Sequence, residues 1–130
     1  MPRHSSFIRF VVSQVHRGSQ KPMGIFFAGA TLRDSGELHP EVEDHLERLI
    51  AWFNRHLDRP ERFTRSRRPH RAPKAISWFK SSAREHISKA REIVAVLESY
   101  DVPVTTLVIE NPGYIAYEDE YQAVAIPFSD

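Results

Sequence analysis

Apolar residues along this chain recur with two different periods. From Pro40 to Leu57 they form one helical stripe, with Val42, Leu46, Leu49, Ile50, Phe53 and Leu57 falling at i, i+4, i+7, i+8, i+11 and i+15. Pro40 suits a first helical turn, and Glu41, Glu43 and Asp44 favour its positive end. Asp44 and Arg48 form an i,i+4 pair on the polar side. A second stripe, Ala83, Ile87, Ala90, Ile93, Val94 and Leu97, predicts a helix reaching about Tyr100. Ser82-Ala83-Arg84-Glu85 reads as its capping box. Met23 to Asp34 predicts a further helix, stopped by Ser35-Gly36, although Gly24 and Gly29 weaken its propensity.

The remaining apolar runs are short and rich in β-branched and aromatic residues, which predicts strands. They are Phe7 to Ser13, Lys74 to Lys80 around Ile76, Trp78 and Phe79, Val102 to Ile109, Tyr114 to Tyr117, and Tyr121 to Phe128. Asn111-Pro112-Gly113 supplies turn chemistry, and Glu118-Asp119-Glu120 joins the last two strands. The order is β-α-α-β-α-β-β-β. It predicts a single α+β domain over residues 1–130, with a mixed sheet, helices covering one face, and a C-terminal antiparallel meander.

Composition narrows the class. At 130 residues, 41% apolar and 27% charged, the chain has the profile of one globular domain with its own core. No window approaches the run of about 18 apolar residues that spans a bilayer, and the N-terminus shows no secretory leader pattern. Cysteine is absent, which removes disulfides, thiolate catalysis and cysteine-ligated zinc. These features together lead to the expectation of a cytoplasmic protein without a membrane partner.

Charge changes the picture more. The net charge of +1 hides a local excess: Arg59 to Lys74 holds six Arg and one Lys against Glu61 alone, leaving eleven basic and sixteen acidic residues elsewhere. Prolines at 60, 69 and 73 bias this stretch away from helix, so 59–74 is expected to be an exposed basic loop. Its cations Arg65, Arg67, Arg68, Arg71 and Lys74 lead toward Lys80, Ser82 and Arg84 at a helix start, where free N–H groups favour anions. Glu118, Asp119 and Glu120 form an acidic counter-surface for the same loop. Trp52, His56, Trp78 and His86 form a candidate ligand patch of aromatic and imidazole rings.

Catalytic and metal motifs are weak. The seven histidines make no H-x-x-x-H pair, and no Gly-x-Ser-x-Gly elbow occurs. No metal site and no cofactor are expected, and no catalytic residue can be named. The sequence therefore points to binding rather than chemistry: an accessory protein contacting an acidic protein surface or a second copy through 59–74. The alternative is nucleic-acid or nucleotide phosphate binding through the same loop and the helix start at Ser82. A third reading is a small enzyme with its site near that helix end.

Overall fold

The computed structural model describes residues 6–15, 22–58 and 75–127. The chain runs β1 (Phe7–Val15), β2 (Pro22–Gly24), α1 (Ile25–Asp34), α2 (Pro40–His56), β3 (Ile76–Lys80), α3 (Arg84–Ser99), β4 (Val104–Ile109), β5 (Tyr114–Glu118) and β6 (Gln122–Ile126). This is the α+β architecture that the two apolar periods predict, with one added short strand, β2. The strands run β2-β1-β3-β6-β5, with β4 on β1.

Two details of the sheet differ from the sequence-based expectation. All pairings are antiparallel rather than mixed. The last three strands also do not form a simple meander. β5 and β6 make a hairpin, whereas β4 crosses to the far side and pairs with β1 along six residues, Phe7↔Ile109 to Val12↔Val104. The cause lies in the connection. Pro112 is buried, and Gly113 takes φ +119° beside β6, where an added Cβ would lie 2.2 Å from the Ile126 carbonyl oxygen. That turn starts β5 on the β6 edge and leaves β4 on the other.

Strand alternation sorts the faces. Phe10, Val12 and Phe79 face the helices, where they meet Ile25, Leu46, Leu49, Phe53, Ile87, Ile93 and Leu97. Leu46, Ile93, Leu97 and Val12 are completely buried, and each such side chain contributes roughly 1.5–3 kcal/mol by leaving water. Gly29 sits where the three helices converge, facing Ile93 of α3 and Leu46 of α2. On the other face of the sheet Phe7, Trp78 and Ala123 form a second, smaller cluster.

The helix ends decide the site. His39 caps α2 by accepting from the Glu41 N–H through Nδ1. Asp44 and Arg48 pair as their spacing predicts. The expected capping box at Ser82 does not form. The N-cap of α3 is Ala83, with no side-chain cap, because Ser81 and Ser82 are spent in a tight turn closed by Ala83 N–H to Lys80 O and Arg84 N–H to Ser82 O. The first intrahelical bond runs from Ile87 N–H to Ala83 O. Among the described residues, the N–H groups of Glu85 and His86 have no acceptor.

Candidate functional site

The C-terminal turn of α2, the N-terminal turn of α3 and the β5–β6 turn meet around His86. This residue is only 5% exposed. Its Nε2 lies 2.7 Å from the His56 carbonyl oxygen, and a carbonyl only accepts, so Nε2 carries the proton. The bond also satisfies one of the orphan carbonyls of the α2 end. The His86 ring stacks on Tyr121 at 4.2 Å and 24°, and meets Trp52 edge-on at 4.9 Å.

Trp52 is itself layered. His56 stacks on it at 4.4 Å, held there because His56 Nδ1 donates to the Trp52 carbonyl at 2.9 Å. Lys89 Nζ lies 5.7 Å from its ring centroid. The flat surfaces left for a ligand are therefore the exposed His56 and the half-buried Tyr121. With Ser82, Arg84 and Glu85 these rings enclose a cleft of about 300 Å³.

The third wall is the β5–β6 turn, fixed by one carboxylate. Asp119 Oδ1 accepts from the N–H groups of Tyr121 and Gln122 at 2.8 and 3.1 Å. Its Oδ2 accepts from the Tyr117 hydroxyl at 2.8 Å and from Gln122 Nε2 at 3.1 Å. Burial pushes the Asp119 carboxyl up, but the bonds from Gln122, Tyr121 and Tyr117 outweigh it and hold it below the usual range. Tyr117 is pushed up to about 12, chiefly by its bond to Asp119. Gln122, only 3% exposed, also donates to the Asp58 carbonyl at 2.7 Å, tying the α2 exit to this turn. The Tyr121 hydroxyl is raised above its ordinary value, first by the charge of Glu120, then by burial and by its hydrogen bond to Glu120.

Of the residues singled out from sequence, the structure brings Trp52, His56, Ser82, Arg84 and His86 to one cleft. It does not bring Trp78 there, because β-strand alternation turns that side chain, 8% exposed, onto Phe7 and Ala123 across the sheet. Lys80 pairs with Glu118 at 2.6 Å, Asp119 is committed to its turn, and Glu120 sits beside Tyr121. Arg65, Arg67, Arg68, Arg71 and Lys74 lie outside the described residues. Among the described residues no group of three His, Cys, Asp or Glu side chains could hold a metal ion, and no helix is long and apolar enough to cross a membrane.

Tyr121 is the member that sequence reasoning missed. As the first residue of a strand-like run it gives no signal of stacking on a helix terminus. A scan against protein-family models finds no match, and searches of the curated proteins and of the solved structures find none either.

Proposed function

We propose that this protein is a binding domain for a nucleotide unit, free or within a single strand, held in the α2–α3 cleft. The observation that carries the reading is the convergence, in one cleft, of two unpaired backbone donors and Arg84 with the rings of His56 and Tyr121. A phosphate suits the donor end, where the positive end of the α3 dipole adds to Arg84. A base suits the ring end, since stacking on aromatic or imidazole faces contributes about 1–3 kcal/mol per base. Glu85 shares the helix terminus and opposes the anion, which favours a modest affinity. The cationic segment 59–74, which follows Asp58 in sequence, adds long-range attraction for a polyanion.

The test is a titration with a nucleoside monophosphate and, separately, a short single-stranded oligonucleotide, read by Trp52 emission in a Trp78→Phe background. Saturable quenching that is lost in Arg84→Glu supports the reading. No saturable response to either probe rejects it.

A second reading, an acidic protein partner for 59–74, is favoured by one observation. Two of the three hairpin carboxylates that would receive the segment internally, Glu118 and Asp119, are already engaged. An external partner is then the better acceptor. Co-sedimentation with a polyglutamate peptide, at low and high salt, separates this reading from the first.

A further inference from the structure

β1 changes partners along one edge. It pairs with β3 at Phe7↔Lys80 and Ile8↔Phe79, and with β2 from Val11↔Gly24 onward. Arg9 and Phe10 fall between the two and make no ladder pair on that edge, while β3 continues along β6 to Ile76↔Ala125. The diverging strands leave a slot of about 60 Å³, room for a few atoms of ligand beyond a single water. Its walls are largely apolar, from Phe26, Trp78, Phe79 and Leu57, with Arg9, Ser77 and Gln122 also lining it.

One charge stands in this slot. The Arg9 guanidinium reaches across the gap, with Nη1 donating to the Ser77 carbonyl at 3.1 Å and Nη2 beside Gly24. No carboxylate pairs with it among the described residues. Burial lowers its pKa; the group nonetheless stays charged, since arginine begins far above neutrality. Among the described residues one of the five guanidinium N–H donors has an acceptor, and the partly buried side chain leaves the others open to a ligand beside the apolar walls. Gly24 is also the N-cap of α1, which has no side-chain cap and no acid in its first turn.

We propose that this slot is a second binding site, taking a short-chain carboxylate whose anionic end pairs with Arg9 and whose hydrocarbon end enters between β1 and β3. A monoanion fits better than phosphate. One arginine neutralises one charge, and a dianion would keep an unpaired charge against apolar walls. A carboxylate also matches the guanidinium fork bidentately. The slot is separate from the α2–α3 cleft: its lining shares no residue with that of the cleft.

The test is a titration with butyrate and with inorganic phosphate, following backbone amide shifts by NMR in the full chain. Butyrate is expected to shift Arg9, Gly24, Ile25 and Ser77 saturably, and phosphate is not. Arg9→Met, which keeps the stem and removes the charge, should weaken butyrate at least tenfold, while Arg84→Glu leaves it unchanged. Gly24→Val narrows the slot beside Nη2 without touching the charge and should weaken it too, so a poorly folding Arg9 variant leaves the proposal testable. Butyrate shifts that persist in both variants, phosphate binding at Arg9 in preference to butyrate, or no saturable butyrate shift would overturn it. Because Arg84→Glu acts only on the cleft, failure of this site and failure of the nucleotide reading are distinguishable.

Discussion

The imidazole of His86 lies flat on the ring of Tyr121, 4.2 Å between centroids, while its Nε2 bonds the last-turn carbonyl of His56. One side chain thus joins α3, the β5–β6 turn and the end of α2. His86→Ala would remove a buried ring and orphan a carbonyl, at a cost of about 2–4 kcal/mol. His86→Phe keeps the stacking and loses only the bond, so it should cost about 1–2 kcal/mol. Urea unfolding of the two variants checks the order.

Asp119 makes the second prediction. Asp119→Ala leaves buried Gln122 short of a partner and should cost about 1–3 kcal/mol. The pH sign follows from its lowered pKa. Its contribution is complete above the unfolded carboxylate value near 4 and is lost as pH falls through the folded value. Tyr117 works in the opposite sense. Raised to about 12, it contributes below the unfolded value near 10 and loses that contribution as pH climbs through the folded value. An absorbance titration at alkaline pH should find the late-ionising tyrosine in the native chain and find it earlier in Asp119→Asn.

The α+β class was legible because the stripes at Val42–Leu57 and Ala83–Leu97 match a helix period closely. Leu46, Leu49, Phe53, Ala90, Ile93 and Leu97 are buried as that period predicts. The antiparallel pairing of β4 with β1 was not legible, since strand order depends on contacts between distant segments. His86 lies one turn into a helix whose start was legible, but its burial comes from Trp52 and Tyr121, 34 and 35 residues away in sequence. Arg9 did leave a mark, a lone charge in Phe-Ile-Arg-Phe-Val-Val, and its meaning required the unpaired edge beside it.

Gly29 should accept a methyl group. An added Cβ meets Ile93 Cγ2 at 3.5 Å and Leu46 Cδ1 at 3.8 Å, both ordinary contacts. Gly29→Ala therefore gains helix propensity, about 0.5–1 kcal/mol, and a higher melting temperature is the expected result. Gly113→Ala should do the reverse by more than about 2 kcal/mol, because both φ +119° and the Ile126 carbonyl stand against it.

Glu85 is the like charge at the proposed phosphate site. Glu85→Gln should raise nucleotide affinity roughly two- to fivefold, equivalent to about 0.5–1 kcal/mol at a helix terminus. The gain should shrink as salt rises. The fluorescence titration repeated at two ionic strengths provides the check.

In the proposed binding mode, the uncapped first turn of α3 donates to an anion beside His56 and Tyr121. The most direct measurement is an amide NMR titration with a nucleoside monophosphate. The account predicts saturable downfield shifts of the Glu85 and His86 amides, with Tyr121 ring shifts at the same midpoint. Saturable shifts elsewhere with Glu85 and His86 unmoved, or no saturation at all, would contradict it.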